Sequence, residues 1–340
     1  MNRHLSGYDR RKNYIILAEN SYLNGVKDRA VKFYNKALEF KGSTEETVQI
    51  LYNIAILYDE MDKPKQALLT YKRITELDET QAGAFYGMAT MYERLNDKDK
   101  ALEYYFKATE IDPYYDRAYF YIANIYDEKG DDEKAIYYYK KVISLKPDDF
   151  MAYNNIGSIY EERGEDEKAY EMIKKSLEIN PDYFRALFNM GVIYKKLGDY
   201  QKALEYYSKS IKKNNRYSDS YLNMSAIYIE ENQLEKAIEI LTEGIRNNPK
   251  AKYLYYNRAC CYARLNRKEE ALDDLEEAVD LSPDIVDMIK KDKDLDSLRE
   301  EERFIELLES KNQKHNMIYK NNVKGKGMKP YDIYKDTRRN

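Results

Sequence analysis

The chain has 340 residues and a formal net charge of −4, with 43% hydrophobic and 35% charged residues, 37 tyrosines and no tryptophan. That balance provides for a core beneath a well-solvated surface, and no apolar run approaches the roughly 20 residues that a membrane-spanning helix needs. The only imidazoles are His4 and His315 and the only thiols the adjacent pair Cys260 and Cys261, which excludes a zinc-ligand spacing and a relaxed intrachain disulfide.

In chain order, residues 1–10 form a charged N-terminal segment. The run "YIILA" that follows is too short for the apolar core of a signal peptide, so a cytoplasmic chain is expected, in keeping with the reduced cysteines. From residue 11 to residue 283 the sequence repeats. Ala67, Ala101, Ala135, Ala169, Ala203, Ala237 and Ala271 are spaced 34 residues apart, and Ala30 lies 37 before the first of them. The three extra residues fall around "KGSTEET", which makes eight repeats.

Let this alanine be position 20 of each repeat. Position 8 is then small: Ala18, Ala55, Ala89, Ala123, Gly157, Gly191, Ser225 and Ala259. Position 11 is tyrosine in seven copies, from Tyr58 to Tyr262. Position 24 is Tyr34, Tyr71, Tyr105, Tyr139 and Tyr207, with Ile173, Leu241 and Leu275 in the other copies. Positions 4, 7, 8 and 11 make one apolar stripe, and 20, 21, 24, 27 and 28 a second, so each repeat predicts two amphipathic helices, A and B. Small residues at 8 and 20 let the two backbones approach, and large rings fill the space around them. Position 15 is glycine, asparagine or aspartate throughout, suited to the left-handed residue that ends a helix. Asp97, Asp131 and Asp199 follow it and are expected to cap helix B. Position 32 is proline five times, ending helix B; Glu79 and Asn215 replace it in two copies, where a less sharp end is expected. In the run "YYY", Tyr139 belongs to the core, Tyr138 is expected to touch the neighbouring repeat, and Tyr137 takes a place held by Lys, Glu or Asp in most copies and is expected to be exposed.

After Pro283 the pattern stops. Residues 284–309 still read as helix, with Ile285, Ile289, Leu295, Leu298, Phe304 and Leu307 apolar, and are expected to form two capping helices. Residues 310–340 differ in kind: nine Lys or Arg and two Asp make a tail of charge +7, leaving −11 for residues 1–309. Its composition reads as disordered in isolation.

The eight in-register copies resemble the tetratricopeptide repeat family, and the C-terminal segment is similar to closing segments common after bacterial repeats of this type. The family has tryptophan or another large residue at position 4; here tyrosine mostly takes that place. The resemblance implies an all-α fold, a right-handed superhelical solenoid of antiparallel helix pairs with a C-terminal helical cap and a basic tail. It also implies that helix A lines a concave groove. Position 6 there is Asn53, Asn155, Asn189, Asn223 and Asn257, with Gly87 and Tyr121 in the other two of copies two to eight. A row of amides, each both donor and acceptor, suits the backbone of an extended peptide; the same amides also suit hydrogen bonds between neighbouring repeats. Position 5 supplies rings to clamp guest side chains: Tyr52, Tyr86, Phe120, Phe188 and Tyr256. Positions 12 and 13 are acidic early (Asp59, Glu60, Glu93, Asp127, Glu128, Glu161, Glu162) and turn to Lys195 and Lys196, so a basic guest is expected over the first half. Chaperone-binding members of the family clamp a carboxylate with Lys and Arg; neither occurs here at position 5 or 6.

No cofactor, metal or catalytic constellation is indicated. "GKGMK" lacks the upstream glycine and the Ser or Thr of a phosphate loop, and the carboxylates recur on helix faces at repeat spacing without singling out an acid–base pair. The expected function is a non-enzymatic protein-interaction scaffold that binds an extended peptide or a partner helix in its groove. The alternative is an adaptor attached to nucleic acid or an anionic membrane surface through the tail.

Overall fold

The computed structural model describes residues 7–309; the N-terminal 1–6 and the basic tail 310–340, with the anchor that the tail offered and both histidines, lie outside the described residues. Among these, all regular structure is helical. The helix pairs are α1 (Gly7–Leu23) with α2 (Lys27–Leu38), α3 (Thr44–Glu60) with α4 (Pro64–Leu77), α5 (Ala82–Arg94) with α6 (Lys98–Ile111), and α7 (Asp116–Glu128) with α8 (Asp132–Leu145). The fifth repeat holds α9 (Phe150–Glu162) and α10 (Asp166–Ile179). The pairs resume with α11 (Phe184–Lys196) and α12 (Tyr200–Lys213), α13 (Ser218–Glu230) and α14 (Leu234–Asn247), and α15 (Lys252–Arg264) and α16 (Lys268–Leu281). Each of the eight repeats holds two helices. The chain forms two compact units, 1–159 and 160–340, and short connections of three to five residues join successive helices, which pack as antiparallel neighbours within each unit.

The local signals act as expected. Every residue at position 15 is left-handed, with φ from 56° at Asp62 and Asn232 to 76° at Gly198. The next amide then folds back onto the carbonyl of position 11, as in Asp97 N to Tyr92 O at 2.9 Å and Gln233 N to Tyr228 O at 2.7 Å, closing helix A with the wrap-around hydrogen bond of a Schellman-type end. The side chains of Asp97, Asp131 and Asp199 accept from the backbone N–H groups of Lys100, Lys134 and Lys202. The helices that precede a proline end two residues before it, at Ile111, Leu145, Ile179, Asn247 and Leu281. The copies without proline end in the same register, at Leu77 and Lys213. There Asp78 accepts from Thr80 N at 2.9 Å and Asn214 accepts from Arg216 N at 3.0 Å, so a side-chain turn does the work of the proline.

The alanines at position 20 are all fully buried. At position 8, a methyl group on Gly191 would lie 2.6 Å from the Tyr207 ring, which is why that copy carries no side chain there. The tyrosines at position 24 form the inner core. Those at position 11 are half-buried, and where position 23 is tyrosine they stack on it: Tyr92 on Tyr104 with centroids 5.3 Å apart, Tyr126 on Tyr138 at 5.7 Å, and Tyr194 on Tyr206 at 5.5 Å. A lysine at position 19 covers the ring from outside, from Lys100 over Tyr92 to Lys236 over Tyr228, 4.8–5.7 Å from the centroids. Tyr138 also meets Phe106 of the preceding repeat at 5.8 Å, and Tyr137 is 63% exposed.

The segment expected as two capping helices is built of shorter pieces: 3-10 turns at Pro283–Ile285 and Lys293–Leu298, the short α17 (Val286–Ile289), and helical residues 302–309. Ile285, Val286, Ile289, Leu295, Leu298, Phe304 and Leu307 are buried against Leu272 and Leu275 of α16. Arg303 pairs with Glu269, Asp273 and Glu276 of α16 at 2.8–2.9 Å. Arg299 donates to the carbonyls of Lys290 and Asp292 at 3.0 Å each, satisfying backbone that two long helices would have satisfied internally.

Candidate interaction surface

Positions 5 and 6 are adjacent on helix A: the position-5 rings Tyr52, Tyr86 and Phe120 meet the position-24 rings Tyr71, Tyr105 and Tyr139 of their own repeat, and position 6 turns toward the preceding repeat. In the first unit, position 6 meets the position-24 ring of that preceding repeat in every interior copy. Asn53 Nδ2 donates to Tyr34 Oη at 3.3 Å. Gly87 lies over Tyr71, whose ring would be 2.5 Å from a Cβ there. Tyr121 stacks on Tyr105 with centroids 5.6 Å apart and planes 8° from parallel. Asn155 Nδ2 donates to Tyr139 Oη at 3.0 Å, and Tyr139 Oη donates to Asn124 Oδ1 at 2.5 Å. Asn154 Nδ2, at 3.2 Å, supplies Asn155 Oδ1. Both ends of the Asn155 amide are therefore engaged, whereas Asn53 retains its carbonyl oxygen.

The rings of position 5 in this unit are half-buried and braced. Tyr52 packs edge-on to Tyr71 at 6.2 Å, with its hydroxyl 3.3 Å from Gln81 Oε1; burial pushes its pKa up to about 12. Tyr86 sits among Tyr115, Tyr105 and Tyr121 at 5.2, 5.6 and 6.0 Å. Phe120 lies between Tyr139 at 5.6 Å and Tyr121 at 5.9 Å.

In the second unit, Asn189, Asn223 and Asn257 are half-buried. Asn223 Nδ2 turns back to Asp219 O at 3.0 Å. The Tyr207 hydroxyl, which precedes Asn223 as Tyr139 precedes Asn155, is buried without a hydrogen-bond partner among the described residues. Phe188 packs against Tyr217 at 5.2 Å and Tyr207 at 5.7 Å. Beside it lie Arg185, 6.0 Å from the Tyr217 ring, and the buried Asp219, whose carboxyl is raised by burial against the opposing pull of Tyr217, Ser218 and Arg185. Tyr256 differs from the other position-5 rings: it is 7% exposed and its hydroxyl donates to Asp292 in the segment after α17, so the C-terminal closure covers it. Cys260 touches the same carboxylate at 3.7 Å. Burial pushes Cys260 well above the ordinary thiol range and Cys261 up to about 12, which leaves both as packed, unreactive thiols.

The charges of positions 12 and 13 are interlocked between repeats. Glu60 pairs with Lys27 at 3.0 Å, Arg94 with Asp59 and with Asp62 (2.6 Å), and Glu128 with Lys98. In the second unit Glu161 pairs with Lys196 at 2.5 Å and Glu230 with Lys195 at 2.7 Å. Pairing this close offsets part of the negative field of Asp59, Glu60, Glu128 and Glu161. Glu93 is engaged differently: it accepts from the Tyr105 hydroxyl, and burial raises its pKa.

Two groups of contributors escape a reading of positions 5 and 6 alone. Tyr115 and Tyr217 stand at position 34, and Arg185 and Asp219 at position 2. The recurrence of tyrosine at position 34 in Tyr115, Tyr183 and Tyr217 was the available signal. No cluster of His, Cys, Asp and Glu suited to a metal occurs among the described residues, and no described helix is long and apolar enough to cross a membrane. What the described helix-A surfaces present at positions 5 and 6 is aromatic rings and amides.

Family models described as tetratricopeptide repeat match residues 48–81, 82–115, 148–216 and 224–301, and one described as TPR repeat matches 123–164. No curated protein matches the sequence. Among solved structures, one chain of the APC/C hetero-tetramer Cut9–Hcn1 is similar in fold, with a TM-score of 0.57 and 17% identity over 82% of this chain and 55% of that one. MamA protein shares 28% identity over 52% of this chain and 94% of its own, with a TM-score of 0.45. YrrB, described as a TPR protein with an unusual peptide-binding site, shares 23% identity over 54% of this chain and 94% of its own, with a TM-score of 0.41. With repeat spacing, helix pairing and family models in agreement, the chain belongs to the tetratricopeptide repeat family.

Proposed function

We propose that this chain is a cytoplasmic, non-enzymatic protein-interaction scaffold whose helix-A surfaces hold an extended peptide or a partner helix. The observation that carries the reading is the braced aromatic cluster of the first unit, where Tyr86 is held by three tyrosine rings 5.2–6.0 Å away and Phe120 by two. Rings already fixed by their neighbours lose little freedom when a guest side chain settles on them, so more of the contact energy remains as affinity. Asn53 adds a free carbonyl oxygen, and in the second unit Phe188 with Asn189, Asn223 and Asn257 adds a ring and amides of the kind that engage a peptide backbone.

The test is selection of a displayed random-peptide library on the intact chain, followed by titration of the selected peptides. Micromolar binding that falls at least about tenfold in the double variant Tyr86→Ala and Phe120→Ala, with helicity preserved, is the expected result. Selected peptides that bind the double variant as tightly as the parent would remove the aromatic row from the function.

A further inference from the structure

The outer face of α1 carries a stripe that is exposed among the described residues except at Ile15, which packs partly into the core. Tyr8, Lys12, Ile15, Ile16, Glu19 and Leu23 recur at helical spacing, within a sector of roughly 100°. Tyr8 is 60%, Ile16 45% and Leu23 80% exposed; Lys12 and Glu19 are exposed and Ile15 is half-buried at the rim. Ile16 holds position 6 of the first repeat. In the interior copies of the same unit that position meets a ring of the preceding helix B, as Asn53 meets Tyr34 and Asn155 meets Tyr139. In the first copy the residue is an isoleucine rather than an amide, and it faces outward. Lys12 and Glu19 make no ion pair among the described residues, whereas the buried Arg11 of α1 pairs with Glu46.

The stripe is also self-complementary. Its midpoint falls between Ile15 and Ile16. Lys12 and Glu19 are equidistant from that point, and so are Tyr8 and Leu23. If two copies of α1 lie antiparallel about a two-fold axis through the midpoint, each Lys12 faces the other copy's Glu19, each Tyr8 faces a Leu23, and the isoleucines meet at the centre. An isologous interface requires this pattern, in which each residue and its partner exchange places under the rotation. A head-to-tail contact has no such match, because residues 283–309 already cover the last helix pair.

We propose that the partner of this face is a second copy of the chain, joined through α1 as an antiparallel two-fold dimer with Lys12–Glu19 ion pairs flanking an isoleucine centre. The proposal is independent of the groove reading. A single helix stripe lies at the small end of specific interfaces, so the dimer is reversible and forms in the micromolar range.

Sedimentation velocity of the full chain over a concentration series tests it, with far-UV circular dichroism as a check on folding; both charged residues are on the surface. Lys12→Glu alone and Glu19→Lys alone each replace two attractive pairs by two repulsive ones and should raise the dimer dissociation constant by about tenfold or more. The double variant Lys12→Glu with Glu19→Lys should dimerise like the parent. An equimolar mixture of the two single variants should form heterodimers, because all four flanking charges are then complementary. A monomer at every concentration overturns the proposal, as does a dimer indifferent to the single substitutions. A chain that dimerises only after removal of residues 310–340, and then ignores the charge swaps, would also overturn it and give the face to the tail.

Discussion

A tyrosine hydroxyl at the inner end of helix B has to find a partner once the ring is buried, and the copies solve this differently. Tyr34 and Tyr139 receive the amides of Asn53 and Asn155, Tyr105 donates to Glu93, and Tyr207 has none among the described residues. Phenylalanine at these sites should therefore have opposite effects. Tyr139→Phe leaves Asn155 and Asn124 short of a partner and should cost about 1–2 kcal/mol, whereas Tyr207→Phe removes only an unpaired buried hydroxyl and should be neutral or stabilising by up to about 1 kcal/mol. Urea denaturation of the two variants beside the parent measures both; equal losses would mean that the asparagine bonds contribute nothing. Glu93 yields a pH dependence. Burial raises its pKa in the folded chain, so the folded state binds the proton more readily than the unfolded state does. Its ionised form then weakens folding, fully so above the raised pKa, and the penalty disappears as pH falls below the ordinary glutamate range. Glu93→Gln should thus raise the melting temperature near neutral pH, and the gain should shrink on acidification. A gain that is flat with pH would contradict the assignment.

At the scale of the element, each helix A is stopped by one left-handed residue and one wrap-around hydrogen bond. The stop tolerates Gly, Asn and Asp because these residues visit that conformation readily, while a branched side chain does not. Asn232, at φ 56°, is a suitable site: Asn232→Gly should change stability by only a few tenths of a kcal/mol, whereas Asn232→Val should cost about 1–2 kcal/mol, read as shifts in melting temperature. The ends of helix B show the limit of a single-residue rule. Loss of proline at position 32 suggested looser ends at Glu79 and Asn215, but Asp78 and Asn214 one residue earlier already turn the chain. The stopping signal is shared between two positions, and either suffices.

For the molecule as a whole, stability in a repeat chain is close to a sum of nearest-neighbour contacts, so damage should stay near its origin. Phe304 is 1% exposed in the cluster that closes α15 and α16. Phe304→Ala should cost about 3–5 kcal/mol locally and should lower hydrogen-exchange protection in residues 252–309 while leaving 44–145 unchanged. Loss of protection spread evenly along the chain would mean cooperative unfolding beyond neighbour contacts.

The helix pairs, their boundaries and their small-against-large packing were legible in the sequence, because the signals involved are local: a period of 34, an alanine where backbones touch, a left-handed residue at each stop. The register put Tyr52, Tyr86, Phe120 and Phe188 at the same position of helix A, but not their half-burial, which neighbouring rings bring about. What the asparagines do did not follow: Asn53 and Asn155 donate to the tyrosine at position 24 of the preceding repeat, whereas Asn223 turns back to Asp219 O although Tyr207 stands at that position. Tyr256 kept the register of a groove ring and yet is covered, since the aspartate that takes its hydroxyl lies 36 residues further on in an irregular segment. The charges of positions 12 and 13 read as an acidic surface along the chain, but Asp59, Glu60, Glu128 and Glu161 among them are paired with cations of neighbouring repeats. Period and local propensity decided the elements; only tertiary contact, which brings residues about half a repeat (Asn53–Tyr34) or a whole repeat (Glu60–Lys27) apart within bonding distance, decided which polar groups are spent on the fold.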